Sequence, residues 1–513
     1  MSAADHVRAL LTDAEAVYRG DGPRAAPAVD DVERCLIRFG EPMRIALAGA
    51  LKAGKSTLLN ALIGEELAPT DATECTKIVT WFGHGATPAV RAHHVNGLSA
   101  PVPIERHDGH LSFNLDALDP PSIDRLMVNW PTSELVRRTI IDTPGTASIN
   151  SEVSRRTIDL LAPEEGVSGA DAVVYLMKIS TASDVSMLTE LNAQVGGDGG
   201  PLGVIGVISR ADEIGVGRID AMMSARDVAA KHAADLSASG LCQAVVPVAG
   251  LLALTARTLR QREFTALTTL ATASAEDLQL AMLSVDRFAR PNSPLDLDAE
   301  TRAALVERFG LFGIRIAIAL IQGGVADATS LADELLARSG LAELQSVIDV
   351  QFGQRAESLK AHSALVELAR ILKRYPAPGT EPIARATARM LGDVHGFTEV
   401  RLLGMLRSAK TSLSESEVIE VTRLIGGYGT SADDRLGLDP FETMTSGRTV
   451  ALAAVQRWRT RADHPLNNNL TTRVCRAAAR SAEGIVADMA RAEREAGSTP
   501  RQRGPQPGRR PPR

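Results

Sequence analysis

The sequence predicts an α/β head built on a mostly parallel sheet with a β-rich insertion, followed by a long all-α bundle of helices. A glycine-rich phosphate-binding pattern lies near the start, at 49–56. From about 41 to 257, short apolar runs alternate with longer amphipathic ones, which is typical of a sheet covered on both faces. From 258 to 496 the apolar residues recur almost wholly at helical spacing, so helices alone are expected there.

The strands of the head are predicted from short apolar runs. They cover 44–48, 78–82, 138–141, 172–177, 204–208 and 244–248. Between 83 and 125, glycine, proline and histidine interrupt short β-like pieces such as 109–115. This change of pattern predicts the β-rich insertion.

Four segments are expected along the chain. Residues 1–40 hold two helical patterns expected to pack with the helical bundle, 41–257 form the head, and 258–496 form the helical region. The tail, 497–513, is rich in arginine and proline and has no acidic residue, so we expect it to be disordered.

Composition excludes several classes of function. The net charge is −6, so no nucleic-acid partner is expected. Four cysteines lie far apart in the sequence, which indicates a reduced cytoplasmic compartment and no zinc site. The chain starts without a signal-like segment, and its apolar runs fall short of the ~18–20 residues that a membrane span requires. Any membrane contact is therefore expected to be peripheral.

The pattern at 49–56 reads Gly-Ala-Leu-Lys-Ala-Gly-Lys-Ser and matches G-x-x-x-x-G-K-[ST] at every fixed position. A strand candidate precedes it and a helical pattern follows, as a phosphate loop requires. Lys55 would reach the terminal phosphates and Ser56 would ligate Mg²⁺. A chance match on a glycine turn is the alternative. The residues predicted to bind nucleotide here are Gly49, Lys52, Ala53, Gly54, Lys55, Ser56 and Thr57.

Two further elements extend the site toward the γ-phosphate. The run Asp142-Thr-Pro-Gly145 follows a predicted strand, so Asp142 could hold Mg²⁺ through water and the Gly145 N–H could approach the γ-phosphate. In the loop 69–76, Thr76 lies 21 residues after Lys55 and is predicted to ligate Mg²⁺. Thr70, Thr73 and Thr80 are its competitors. Such a loop is ordered by a triphosphate and released after hydrolysis.

The base is predicted from Ser209-Arg-Ala-Asp212, which has the form of the guanine-reading element [NT]-K-x-D. Asp212 would accept two hydrogen bonds from guanine, which adenine cannot supply. An unpaired buried carboxylate costs about 1–3 kcal/mol or more. Arg210 stands in place of Lys, and its planar group could lie over the purine. A solvated turn is the alternative, and a weakly specified base-side loop is expected around 246–250.

With these elements in this order, the chain resembles the bacterial dynamin-like GTPases, and within them the shorter, C branch of the isoniazid-inducible proteins of mycobacteria. The phosphate loop 49–62 and the spacing of 69–76 carry the resemblance to dynamins. The narrower resemblance is carried by 68–74, 209–215, 244–261, 435–440 and 464–467. The resemblance spans about residues 5 to 490. It implies a GTPase head on helical neck and trunk bundles, GTP-dependent head dimers, contact with anionic membrane lipids, membrane remodelling and a link to envelope stress or drug tolerance. A sibling dynamin-like GTPase is a further candidate partner.

The expected catalytic residues are Lys55, Thr76, Gly145 and Lys52. Eukaryotic dynamins have Gln and Ser where this chain has Leu51 and Lys52, and that Ser helps to hold a charge-compensating cation. The Lys52 ammonium, or an arginine from a partner, is expected to supply that charge instead. Since Thr146 and Ala147 follow Gly145, no obvious catalytic Gln is present, and slow turnover that rises on dimerisation is expected.

Two rival functions remain from the sequence. One is a soluble regulatory GTPase that acts through a protein partner, and the other is a structural pseudo-GTPase. The run 309–321 is a candidate apolar wedge for lipid, and its alternative is a buried bundle helix. The basic tail is either a lipid contact, at up to roughly 1 kcal/mol per charge, a solubilising terminus or a partner motif.

Overall fold

The computed structural model describes most of the chain. The described residues are 3–68, 78–107, 110–113, 122–145, 157, 160–161, 169–178, 181–195, 203–214, 221–238, 241–393, 395–408, 411–438 and 444–498. By their contacts, the residues divide into two compact units, Met1–Ala409 and Lys410–Arg513. The four-part division expected from the sequence remains a prediction, and the tail beyond Ser498 lies outside the described residues.

The head is built on a nine-stranded sheet, which confirms the predicted fold class. Its strands are β1 (Met43–Gly49), β2 (Val79–His84), β3 (Ala89–His94), β4 (Ser99–Val102), β7 (Ile123–Trp130), β8 (Arg138–Asp142), β9 (Ala172–Met177), β10 (Val204–Ser209) and β11 (Ala244–Val248). They lie in the order β11-β10-β9-β1-β8-β2-β7-β3-β4. The run from β11 to β8 is parallel throughout, so the carboxyl ends of these strands meet at one edge.

The predicted β-rich insertion is present and has two parts. Strands β3 and β4 extend the main sheet as an antiparallel hairpin. Strands β5 (Ile104–His107) and β6 (His110–Phe113) pair only with each other among the described strands. The β3–β4 hairpin therefore forms the edge of the main sheet farthest from β11.

The helices of the first unit pack on this sheet and on one another. They are α1 (Ala3–Gly20), α2 (Ala26–Gly40), α3 (Lys55–Ile63), α4 (Ala182–Val195), α5 (Ala221–Ala238), α6 (Gly250–Arg257), α7 (Gln261–Ala271), α8 (Ala275–Ala281), α9 (Val285–Phe288), α10 (Ala299–Gln322), α11 (Ala328–Arg338), α12 (Leu341–Ile348), α13 (Ala356–Arg374), α14 (Thr380–Asp393) and α15 (His395–Ser408). Several of these helices are shorter than the continuous helical patterns of the sequence, such as the one near 262–285. The reason is that side-chain caps start new helices within those patterns. Ser274, for example, accepts a hydrogen bond from the Asp277 N–H and begins α8.

In the residues that the structure describes, the second unit has four helices. They are α16 (Glu415–Leu424), α17 (Ala432–Leu436), α18 (Met444–Ala462) and α19 (Asn469–Ser498). Helices α18 and α19 form the main packing pair of this unit, with Trp458 fully buried. The helices of both units confirm the prediction that the chain is helical after the head. Among all the described helices, none has the length and hydropathy to cross a membrane.

Three apolar cores connect the helices to the sheet and to one another. One lies between the sheet and α3, and includes Leu58, Leu62 and Leu344. A second joins α5 and α6 of the head to α7–α11, and it buries Phe309 and Phe312 of the candidate wedge, as the buried-helix alternative predicts. The third joins α1 and α2 to α13 and α14, so the N-terminal helices pack against a helix more than three hundred residues away.

Candidate functional site

The phosphate-binding pattern lies at the carboxyl end of β1, between two parallel neighbours, β8 and β9. Gly49 ends this strand with φ 144°. A Cβ added there would lie 2.2 Å from the Leu176 carbonyl oxygen of β9. Only glycine therefore lets the loop leave the sheet at this point.

Gly54 closes the loop in the left-handed conformation, with φ 91°. A Cβ at this position would meet nothing within 4 Å, so the backbone conformation rather than space requires glycine. Helix α3 starts at the next residue and has no side-chain cap. Its first N–H groups and the positive end of its dipole are thus directed toward the loop, where a phosphate would bind.

Lys55 is buried under the loop, with 8% of its surface exposed. Its Nζ donates to the carbonyls of Gly49 and Ala50, each at 3.2 Å. Burial lowers the pKa of this lysine, and the nearby Asp142 carboxylate opposes that shift. The ammonium is held by weak carbonyl contacts, which a phosphate oxygen could replace.

Ser56 and Asp142 meet beside the loop, as the sequence predicts. The register of β1 and β8 sets Leu47 against Asp142, and the Ser56 hydroxyl donates to Asp142 Oδ2 at 2.7 Å. Among the described residues, the buried Oδ1 has no hydrogen-bond partner. Burial raises the pKa of Asp142, against the effects of Lys55 and Ser56.

These observations fit a Mg²⁺ site. A hydroxyl and a carboxylate are hard oxygen ligands of the kind Mg²⁺ prefers, and a bound cation would satisfy the buried Oδ1. Ser56 and Asp142 are the described residues that would hold it. Thr76, the third predicted ligand, and its competitors Thr70 and Thr73 lie outside the described residues. Thr80 lies in β2, directly opposite Asp142.

The turn after Asp142 packs closely on the phosphate loop. The Thr143 hydroxyl donates to the Leu47 carbonyl at 2.8 Å. A Cβ on Gly145 would lie 2.8 Å from Leu51 Cα and 2.9 Å from Leu51 N. Glycine is required here by the approach of two backbones, which places the Gly145 N–H near the loop.

The predicted guanine-reading element also contacts the phosphate loop. Arg210 follows β10 in a left-handed conformation, φ 52°, and Lys52 has φ 61°. They are the two non-glycine residues with positive φ in the described part of the chain. Arg210 Nη2 donates to the Lys52 carbonyl at 3.1 Å. A hydrogen bond therefore joins the two residues whose backbones are strained.

The other members of this element are only partly accessible. The Ser209 hydroxyl is buried and donates to the Met177 carbonyl at 3.2 Å, which ties β10 to β9. Asp212 is half-buried, and burial raises the pKa of its carboxyl group. The structure thus brings Arg210 and Asp212 to the same edge of the sheet as Lys55 and Asp142.

Sequence reasoning missed the contribution of the helical region to this edge. The Ala249 N–H of the base-side loop donates to the Ser339 carbonyl at 2.9 Å. Gly340 has φ 80°, and a Cβ there would lie 2.2 Å from the Pro247 carbonyl oxygen. The sequence carries one weak internal repeat at this place, in which Arg308-Phe-Gly310 recurs in outline as Arg338-Ser-Gly340. Each copy has the pattern of a turn that ends in glycine before a new helix, and this pattern could have directed attention to Gly340.

Comparisons with known proteins agree with this geometry. A sequence profile described as the Dynamin family matches residues 45–211. The "Isoniazid-induced protein IniC" of Mycobacterium tuberculosis is 54% identical over 496 residues, which are 95% of this chain and 99% of that protein. A "Bacterial dynamin-like protein" of Nostoc punctiforme is 27% identical over 34% of this chain and 26% of its own length.

A solved structure also aligns with most of the chain. It is described as "An oligomerised bacterial dynamin pair provides a mechanism for the long range sensing and tethering of membranes". It is 11% identical, with a TM-score of 0.36, over 96% of this chain and 75% of its own.

Proposed function

The chain belongs to the family of the isoniazid-induced protein IniC and has a dynamin-family domain, and from this premise we propose that it is a GTPase that remodels membrane. It couples GTP binding and hydrolysis to dimerisation of the head and to remodelling of the inner face of the cell membrane, in envelope stress or drug tolerance. The observation that carries the proposal is the pair formed by Ser56 and Asp142, with its buried and unpartnered carboxylate oxygen, beside Lys55.

The residues of the loop would act on GTP by position and charge. Lys55 supplies a positive charge to the β- and γ-phosphates, and the N–H groups at the start of α3 and at Gly145 bind the phosphate oxygens. When bound, Mg²⁺ supplies neutralisation of the charge on the phosphates. Lys52, whose side chain is exposed, supplies charge at the open side of the loop.

The half-buried carboxylate of Asp212 supports the choice of guanine. It accepts from the ring N–H and the amino group of guanine, and adenine would leave it unpaired, at a cost of about 1–3 kcal/mol. The bond from Arg210 to Lys52 supports coupling between base and phosphate recognition, because it joins the two loops. Membrane contact is supported by family membership.

Turnover of GTP by the purified chain tests the enzymatic part. We expect slow, Mg²⁺-dependent release of phosphate that rises with protein concentration, because dimerisation completes the site. Lys55→Ala should lower the rate about a hundredfold or more. The control is Lys231→Ala, an exposed lysine of the head, which should leave the rate unchanged. Equal rates for the two variants would contradict the proposal.

Co-sedimentation with liposomes tests the membrane part. Vesicles of anionic phospholipid and of neutral phospholipid are compared, with GTP and without nucleotide. We expect binding to the anionic vesicles, and more of it with GTP. Normal turnover without binding to either vesicle would instead favour a regulatory GTPase that acts through a protein partner.

A further inference from the structure

The segment Gly64–Ala68 joins helix α3 to the threonine loop, and it is held at both ends. Asn60, fully buried, accepts hydrogen bonds from the N–H groups of Leu67 and Ala68 at 3.0 and 2.7 Å and donates to the Ala68 carbonyl at 2.8 Å. At the other end, a Cβ on Gly64 would lie 2.9 Å from Arg257 Nη1. The exit from α3 is therefore enclosed by side chains of α3 itself and of α6.

Arg308, in the helical region, reaches this same segment. Its Nη1 pairs with Glu66 Oε1 at 2.5 Å and its Nε with Glu263 Oε1 at 2.6 Å. The exposed fractions of the three side chains are 15%, 10% and 8%. One cation thus pairs with two carboxylates that have little access to water, where the attraction between opposite charges is screened less than at the surface.

Further hydrogen bonds fix both the side chain and the backbone of Arg308. Its Nη2 donates to the Thr258 carbonyl at 3.1 Å, and the Thr255 hydroxyl donates to the Arg308 carbonyl at 2.5 Å. Gly310, two residues on, has φ 62° and ψ 169° and kinks α10. The kink and these bonds set the direction of the Arg308 side chain, so its contact with Glu66 belongs to the fold rather than to a mobile surface group.

Helix α3 connects this contact to the phosphate loop. Lys55 and Ser56 begin the helix and Ile63 ends it, and nine residues of helix span about 13 Å. The helix is buried along most of its length, so it transmits displacement as a rigid element. A change at its phosphate end is thus linked to Glu66 at its other end, and through Arg308 to α10.

We infer that Arg308 is a positioning residue for GTP hydrolysis, acting through Glu66. By holding Glu66 it fixes the carboxyl end of α3, the helix whose first turn carries Lys55 and Ser56, and it so sets the preference of the site for a triphosphate over a diphosphate. The inference rests on the proposed function. It also makes α10 the element through which the helical region and the nucleotide influence each other, since such coupling is reciprocal.

The test is Glu66→Leu in the full chain, with Arg308→Lys as a second variant. Glu66→Leu leaves Arg308 paired with Glu263, so the buried cluster becomes neutral and the fold should be retained. Arg308→Lys keeps the charge but cannot reach both carboxylates and Thr258 with one ammonium. The matched control is Glu334→Leu, which breaks the exposed pair with Arg338, the counterpart of Arg308 in the repeat.

Dissociation constants for GDP and for the slowly hydrolysed analogue GTPγS are measured together with kcat, KM and Tm. We expect kcat and the preference for GTPγS over GDP to fall about tenfold in both variants, with the GDP constant within about twofold of the wild type. The double variant should be no worse than the stronger single variant, because both changes act through one contact. The control should match the wild type.

The inference is overturned if both variants keep the wild-type kcat and the wild-type preference for GTPγS. It is also overturned if Glu66→Leu lowers Tm and weakens GDP and GTPγS equally, because the cluster then serves the fold alone. Failure of the wild-type chain to bind or hydrolyse GTP would instead count against the proposed function, and the control variant would share that failure.

Discussion

At the scale of single residues, the site contains a buried carboxylate with too few hydrogen-bond donors around it. Asp142 has one carboxylate oxygen bonded to Ser56 and one that is buried without a partner among the described residues. Burial raises its pKa, so the ionised form is less stable here than in water. A bound cation would relieve this cost, which links the stability of the head to its ligand.

We predict that Asp142→Asn separates stability from activity. The amide keeps the shape of the side chain and removes the buried charge. Because burial raises the pKa of Asp142 even with Lys55 and Ser56 beside it, Tm without nucleotide at pH 7 should equal or exceed that of the wild type. GTP turnover should fall about a hundredfold or more. Thermal unfolding and phosphate release measure the two effects, and a fall in Tm of several degrees would contradict the first.

The pH dependence of this difference has a defined sign. Because the folded-state pKa of Asp142 is raised, protonation favours the folded state, and that stabilisation is lost as pH rises through the folded pKa. The Tm advantage of the Asn variant should therefore be largest at neutral pH and shrink on acidification. An advantage that grows as pH falls would contradict this assignment.

At the scale of elements, turns with left-handed glycines determine how helices approach the nucleotide edge of the sheet. The turn between α11 and α12 is the best example. Gly340 lies against the Pro247 carbonyl oxygen, and Ser339 accepts from the Ala249 N–H. The helical region is thus joined by backbone contacts to the loop expected to lie on the base side of the nucleotide.

We predict that Gly340→Ala destabilises the first unit more than Gly97→Ala does. Both glycines have nearly the same φ, 80° and 83°, so both changes carry a backbone cost of about 1–2 kcal/mol. A Cβ at Gly97 meets nothing within 4 Å, whereas at Gly340 it collides with backbone. The extra cost is about 1–3 kcal/mol. Thermal unfolding measures it, and equal Tm values for the two variants would contradict the contact.

At the scale of the whole molecule, the first unit combines distant parts of the chain. Tyr18 of α1 donates its hydroxyl to the Tyr375 carbonyl at 2.8 Å, and Arg38 of α2 pairs with Asp171 at 3.1 Å. Asp171 in turn accepts from the Arg44 N–H at the start of β1. These bonds join the N-terminal helices both to the helical region and to the central strand of the head.

We predict that residues 1–409 alone keep the nucleotide site. Every hydrogen bond described for that site joins residues of the first unit, so the dissociation constants for GTPγS and GDP should stay within about twofold of those of the full chain. Removing residues 1–40 as well exposes the apolar residues of α13 that α1 and α2 cover, and that product should aggregate. A folded 1–409 product that binds neither nucleotide would contradict the prediction.

Much of the fold and the phosphate site could be predicted because their signals are local. The phosphate loop is eight consecutive residues, Asp142 follows its strand directly, and strands and helices differ in apolar period. The helix caps that divide the long helical patterns were missed, because a single serine or a kink at Gly310 changes little in that period. The threonine loop and the domain boundaries remain predictions.

The sequence by itself determined the α/β head and the helical region after it, and it predicts the roles of Lys55, Ser56 and Asp142, since each depends on neighbouring residues. Only the tertiary structure decided which distant groups meet. Arg210 contacts Lys52 across 158 residues, and Arg308 contacts Glu66 across 242. Such contacts follow from the order of the strands and the path of the helices, and no local period or motif encodes them.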